Sequence, residues 1–310
     1  MSEQSVTETS KINQTAAIGW EGYLALCKPN VVVLVVFTAV VGMLLSAPGA
    51  LPVDIFVFAT VGIGLAAASG AALNQLVEQH IDARMERTRD RPLPQGDIEP
   101  VNALVFAIVL AMISMFLLVF FVNTLTAVLA FISLVGYAVI YTMFLKRTTP
   151  QNIVLGGAAG AAPPILGWTA MTGEIHSEAL ILFLIIFIWT PPHFWALAIR
   201  RREEYAKVGI PMLPVTHGVA FTKLQILLYT IMLVAVSVLP FIVNMSGLIY
   251  LVGALALGVG FLHNAIALYR SDSDRLAMKT FGYSIFYLSI LFAFLLLDHY
   301  ARLFLRAFVL

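Results

Sequence analysis

The sequence predicts an all-α membrane protein, a bundle of about nine transmembrane helices with its N-terminus in the cytoplasm. Three observations predict it. Of 310 residues, 60% are hydrophobic and 11% charged, with mean hydropathy +0.93, whereas soluble domains carry roughly 25% charged residues. Nine apolar segments approach the ~20 residues that span a bilayer: about 30–47, 55–76, 102–121, 124–145, 153–171, 179–199, 224–243, 247–269 and 281–300. Sixteen of the eighteen Lys and Arg residues fall in the N-terminal tail or in the loops after segments 2, 4, 6 and 8. That asymmetry sets the orientation; Arg302 and Arg306, beyond segment 9, are the exceptions.

Residues 1–20 are expected to be a disordered cytoplasmic tail and 21–310 a single transmembrane domain. The tail is polar and holds Glu3, Glu8 and Lys11, which matches neither a signal peptide nor an Arg-rich transit sequence. Cys27 is the sole cysteine, so no intramolecular disulfide is possible. The net charge of +1 gives no basis for a nucleic-acid partner; the partner this composition implies is the lipid bilayer.

Segment 1 follows Lys28-Pro29. Pro29 suits a first helical turn, and Lys28 sits at the interface, where an orientation-setting role and a functional one both stand. Segment 2 holds Ala66-Ala-Ala-Ser-Gly70-Ala-Ala72, small residues that permit close helix approach. Its end carries Asn74, Glu78 and Asp82, which drift only about 40° per step on a helix and so share one face. Oxygen ligands of this kind suit Mg2+, which binds through one or two carboxylates and substrate phosphates. Arg84, Arg87, Arg89 and Arg91 follow at once, and guanidinium groups pair well with phosphate oxygens. Acid for a metal and base for phosphate, at the end of a lipid-facing helix, point to a diphosphate ester with an apolar tail.

Segment 4 ends in Tyr141 and Lys146-Arg147, cations that also favour a helix C-terminus. Segment 5 carries Gly156 and Gly160 in small-xxx-small spacing, and Pro163-Pro164, which must kink or break it. Segment 6 reads Trp189-Thr-Pro-Pro-His193-Phe-Trp195 and leads to Glu203-Glu204-Tyr205 and Pro211-Met-Leu-Pro214. The last run echoes Pro92-Leu-Pro94, which suggests that segments 1–4 and 5–8 repeat one four-helix unit. Segments 7 to 9 read as packing helices, with Asp298 and His299 interfacial rather than chemical.

These residues resemble the UbiA-type intramembrane prenyltransferases, and within them the protohaem IX farnesyltransferase (haem O synthase) branch. Asn74, Glu78 and Asp82 match the first acidic motif of that family, with Glu78 where Asp is more usual. In the second motif His193 falls where many relatives have Asp, and Glu203 and Glu204 stand near its far end. The branch-specific matches are Lys28-Pro29, Met85-x-Arg87-Thr88-x-x-Arg91-Pro92-Leu93, Tyr141 to Lys146-Arg147, the Trp189–Trp195 run, Pro211–Pro214 and Ser284–Leu288. The resemblance covers roughly residues 20 to 300.

It implies farnesyl transfer from farnesyl diphosphate to a vinyl group of haem B, with addition of water, in a bacterial cytoplasmic (inner) membrane with the site facing the cytoplasm. Haem B enters as substrate, and Mg2+ as the ion bridging the diphosphate. Metal ligands are then Asn74, Glu78, Asp82, Glu203 and Glu204, and diphosphate ligands Arg87, Arg91, Lys146 and Arg147. Tyr141 joins Asn74, Glu78, Asp82 and His193 as catalytic, and His193, Trp189 and Trp195 form the haem side. His193 lies about 10 Å inside helix 6 by its seven-residue distance from Arg200. Haem contact, a structural pin on a freed carbonyl or on Asn74, and proton transfer to the added water are its three readings. Haem A synthase or a terminal oxidase is the implied protein partner. A prenyltransferase of quinone precursors is the nearest alternative; a secondary transporter would place its ionisable groups near the midplane instead.

Overall fold

The computed structural model describes residues 19–309 apart from positions 48, 50 and 272, and all of its regular structure is helical. The expected disordered tail lies almost wholly outside the described residues. A short α1 (Trp20–Leu26) precedes α2 (Pro29–Ser46) and the long α3 (Val53–Asp82). A one-turn α4 (Pro92–Gln95) leads to α5 (Pro100–Phe121) and α6 (Thr124–Val135). The latter continues as a π-helix (Gly136–Leu145) and the short α7 (Lys146–Thr148). Then come α8 (Asn152–Ala161), α9 (Pro163–Thr172), α10 (Ser177–Arg200), α11 (Arg202–Lys207) and α12 (Leu213–Thr216). The chain closes with α13 (Gly218–Val236), α14 (Leu239–Ile242), α15 (Leu248–Tyr269) and α16 (Asp274–Val309). Among the described residues nine helical stretches are long and apolar enough to cross a membrane, and the protein is an integral membrane protein.

One boundary differs from the sequence expectation in a way that matters, and one expected break is observed. Helix α3 runs six residues past the expected end at 76; no glycine or proline interrupts Val77–Asp82, and Glu78 and Gln79 are good helix formers, so its acidic residues stand on a rigid element. Segment 5 breaks at Ala162, where Pro163 begins a new helix. By contrast, Pro191 and Pro192 leave α10 unbroken.

The centre of the bundle is α10, apolar on all sides as a buried helix should be. It packs against α8, α13 and α16. The tightest crossing joins α2 to α9. A Cβ at Gly42 would lie 2.3 Å from the Pro164 carbonyl oxygen, and one at Gly167 would lie 1.9 Å from that of Ala39. Close approach of this kind supplies the van der Waals contact that holds helices together in lipid. Of the small-xxx-small pair in segment 5, Gly156 meets Tyr141, but Gly160 faces open space; Gly157 packs instead, on Thr190.

Equivalent helices of the two proposed repeats pair alike: α2 with α3 and α3 with α5, as α8–α9 with α10 and α10 with α13. The echoing Pro-rich runs also form equivalent one-turn helices, α4 and α12. At the opposite end of the bundle the buried Asp298 accepts N–H bonds from Gly247 at 2.5 Å and Tyr250 at 3.3 Å, so it caps α15 from a neighbouring helix. Arg302 donates to the carbonyls of Asn244 and Met245. These groups serve helix-end packing, in keeping with their interfacial reading.

Candidate active site

The last turns of α3 bring Asn74, Glu78 and Asp82 to one face at 3%, 4% and 3% exposure. Each meets a cation. Lys28 Nζ donates to Asn74 Oδ1 at 2.5 Å, Arg91 Nη1 to Asp82 Oδ2 at 2.6 Å, and Lys146 pairs with Glu78. Leaving one such buried charge uncompensated costs about 3–5 kcal/mol, which explains why every carboxylate here has a partner. Two carboxylates face three cations, so the cluster keeps a net positive remainder.

Separate elements deliver the three cations. Lys28 occupies the left-handed region (φ 50°) ahead of Pro29, which turns its side chain back toward α3. Burial and the Arg91 and Lys146 cations lower its pKa against the pull of Glu78 and Asp82, bringing it down to about 8. Arg91 arrives on a tightly turned loop pinned by Thr88, whose hydroxyl donates to the Asp82 carbonyl at 3.0 Å. Lys146 follows the π-helix. Such wide turns are rare and concentrate at functional sites. This one lets the Thr142 hydroxyl donate to the Tyr137 carbonyl (2.8 Å) while accepting from Asn74 Nδ2 (3.2 Å). Asn74 is thereby fixed with its oxygen toward Lys28. Tyr141 stacks on Tyr137 at 5.6 Å, and only a glycine at 156 leaves room for its ring: a Cβ there would sit 2.3 Å from it.

The loop after α10 is built differently. Glu203 is exposed. Glu204, by contrast, has an enclosed Oε2 with no hydrogen-bond partner. Arg202 is drawn away to Asp274 (2.9 and 3.1 Å). Burial raises the Tyr205 hydroxyl pKa, with Arg87 and Arg201 lowering it and Glu204 and Glu78 raising it. The two cytoplasmic loops therefore meet around Tyr205. Arg84, Arg87, Arg89 and Arg147 are exposed on the surrounding surface; Arg89 makes a surface pair with Asp90 at 3.8 Å.

Deeper on α10, His193 lies between the rings of Trp189 (4.2 Å, 18°) and Phe281 (4.5 Å, 24°). Its Nδ1 contacts Ser284 Oγ at 2.7 Å, and Trp189 Nε1 donates to the Ser284 carbonyl at 2.8 Å. Neither Asn74 nor a carbonyl freed by Pro191-Pro192 is its partner. Trp195 is 1% exposed within a core of Ile153, Ile199 and Leu213, with its ring edge-on to Tyr229 at 5.2 Å. At 100° per residue it stands about 120° round the helix from Trp189 and about 160° from His193, so it packs on a different side of α10 from that pair. The sequence reading did not single out Thr142 or Phe281, and the π-helix left no readable signal. Ser284 entered only through the Ser284–Leu288 match.

Among the described residues no three His, Cys, Asp or Glu side chains cluster closely enough to cage a metal alone. A hard cation that keeps few protein ligands and takes the rest from substrate phosphate needs no such cage. The buried side-chain oxygens of Asn74, Glu78 and Asp82 on one face of α3 are of the type such a cation takes.

The comparisons with known proteins agree on the family and the fold. The model of the UbiA prenyltransferase family matches residues 35–294. The chain is 64% identical over 292 residues to the Protoheme IX farnesyltransferase of Thioalkalivibrio sulfidiphilus, covering 94% of this chain and 97% of that one. Among solved structures it superposes on a digeranylgeranylglyceryl phosphate synthase with TM-score 0.77 at 20% identity, covering 90% and 98% of the two chains. A UbiA homolog from Archaeoglobus fulgidus bound to GPP and Mg2+ gives TM-score 0.61 at 13% identity, covering 88% and 99%. Nine spans, an acidic ladder at the end of the second and a family match over most of the length lead to one conclusion: the chain belongs to the UbiA prenyltransferase family.

Proposed function

We propose that this protein transfers the farnesyl group of farnesyl diphosphate to a vinyl group of haem B, with addition of water, to give haem O. The observation that carries the reading is the near full-length identity to a Protoheme IX farnesyltransferase, and the buried cation-matched ladder supports it. Asn74, Glu78 and Asp82, with Glu204, would hold Mg2+, which supplies positive charge to the leaving diphosphate. Lys28, Arg91 and Lys146 neutralise the ladder while the site is empty and turn to phosphate oxygens when substrate arrives. Arg87 and Arg147, on the exposed rim, guide the anion inward. Because these charges are fixed before reaction, they cost no reorganisation as the allylic C1–O bond breaks.

The terminal vinyl carbon then bonds to C1. The cation left beside the porphyrin takes the oxygen of water, and one water proton is released. The stacked rings of Tyr137 and Tyr141 offer π faces to developing allylic charge. Trp189 and His193 form the haem side, and the apolar bundle limits water to the one molecule consumed. The positive-inside pattern supports a site at the cytoplasmic face, and the bacterial relatives support a bacterial inner membrane. Haem O passes onward to haem A synthase or a terminal oxidase.

The test is to incubate the protein in lipid nanodiscs with farnesyl diphosphate, Mg2+ and either haem B or 4-hydroxybenzoate, and to weigh the products. Haem O from haem B is expected. Prenylated 4-hydroxybenzoate with unchanged haem would overturn the reading.

A further inference from the structure

We propose that Ser284 is a positioning residue that locks His193 in its Nδ1–H tautomer and so presents a bare Nε2 lone pair to haem iron. The inference begins with one hydroxyl and one hydrogen. Ser284 Oγ lies 2.6 Å from the Phe281 carbonyl oxygen and 2.7 Å from His193 Nδ1. A carbonyl only accepts, and two oxygens at 2.6 Å without a hydrogen between them repel. The Ser284 hydrogen is therefore committed to Phe281, and Ser284 Oγ can only accept from the imidazole. His193 Nδ1 must carry the hydrogen. In a neutral ring that leaves Nε2 unprotonated.

The surroundings point the free nitrogen. Trp189 and Phe281 cover both ring faces, Phe194 stands edge-on at 4.9 Å, and Ser284 covers Nδ1. His193 is 8% exposed; with both faces and Nδ1 covered, the ring edge away from Ser284 is the part these neighbours leave uncovered, and no partner for Nε2 is present among the described residues. Ser284 also holds the Trp189 indole through its backbone carbonyl, so one residue of α16 orients both members of the aromatic pair on α10. The arrangement has the form of a ligating histidine, whose second nitrogen is tied by a neighbour that sets tautomer and ring orientation. The carboxylate usual in the second motif would repel neither iron nor Mg2+, but it could not stack between two rings. The iron half of the proposal rests on the haem reading above; the tautomer half does not.

Two measurements separate them. In bilayers without haem, solid-state 15N spectra of histidine-labelled protein, assigned by the signals lost in His193→Asn, should show the Nδ1–H form. Ser284→Ala should redistribute that signal toward Nε2–H, and Ser284→Thr should restore it; the alanine variant keeps the carbonyl that anchors Trp189. An Nε2–H signal in the unaltered protein, or one indifferent to Ser284→Ala, overturns the lock. Haem B titrated into the same samples should bind about tenfold or more weakly to Ser284→Ala, with a shifted Soret band, and normally to Ser284→Thr. A changed tautomer with unchanged haem affinity and Soret band overturns iron ligation while leaving the lock in place.

Discussion

The two cytoplasmic half-sites, at the ends of α3 and α10, are equivalent in the helix-pairing pattern and opposite in chemistry. The first is a saturated ion-pair network: each of Asn74, Glu78 and Asp82 meets a cation from a different element. The second has spent its charges elsewhere. Arg202 is bound to Asp274, Glu203 is exposed, Glu204 keeps an orphaned oxygen, and His193 lies between two aromatic rings. On the proposed function, the difference teaches how one helical unit, used twice, would divide two substrates. The charged half suits a diphosphate, and the aromatic half suits a flat, weakly polar acceptor.

The largest expected effect breaks the first half. Asp82→Asn is nearly isosteric yet removes an anionic ligand, and should lower turnover on the order of 10²–10³-fold with unchanged yield and monodispersity. Substantial activity at saturating Mg2+ would remove Asp82 from the site. Next, Arg91→Gln should raise the KM for farnesyl diphosphate by about tenfold or more, the order of a lost charge-assisted contact, and leave haem affinity alone. A fall in haem affinity instead would move the haem propionates into this loop. A smaller contrast sharpens the second half. Glu204→Gln should raise the Mg2+ concentration needed for half activity several-fold, because the orphaned oxygen loses its charge, while Glu203→Gln should not. Equal effects would dissolve the distinction between the two glutamates.

The smallest effect is a pH dependence. Lys28 has a pKa near 8, so it is charged below that value and neutral above it. An anion binds the charged form, and farnesyl diphosphate affinity should therefore fall a few-fold as pH rises through about 8. Lys28→Arg, which stays charged, should flatten that segment of the profile. Persistence of the fall in Lys28→Arg would assign it to another group.

Most of this division was legible in the sequence. Four-residue spacing put Asn74, Glu78 and Asp82 on one face because helical geometry is local, and the Lys and Arg asymmetry gave the orientation. What was hidden depends on tertiary placement. Whether Lys28 anchors the interface or reaches Asn74 turns on one left-handed backbone angle. Trp195 shares a motif with Trp189 and His193, but at six residues from Trp189 it turns onto a different face of α10 and meets Tyr229, a placement the motif alone does not show. The π-helix after Val135 has no composition of its own, and it alone brings Thr142 to Asn74. Ser284 stands ninety-one residues from His193, beyond any local pattern.

The central claim is that diphosphate and haem are bound by different halves. It is tested most directly by measuring equilibrium affinities of both substrates, in bilayers with Mg2+, for Asp82→Asn and His193→Ala. The account predicts a crossed pattern: Asp82→Asn loses farnesyl diphosphate and keeps haem B, and His193→Ala loses haem B and keeps farnesyl diphosphate. Loss of the same substrate in both well-folded variants would contradict it.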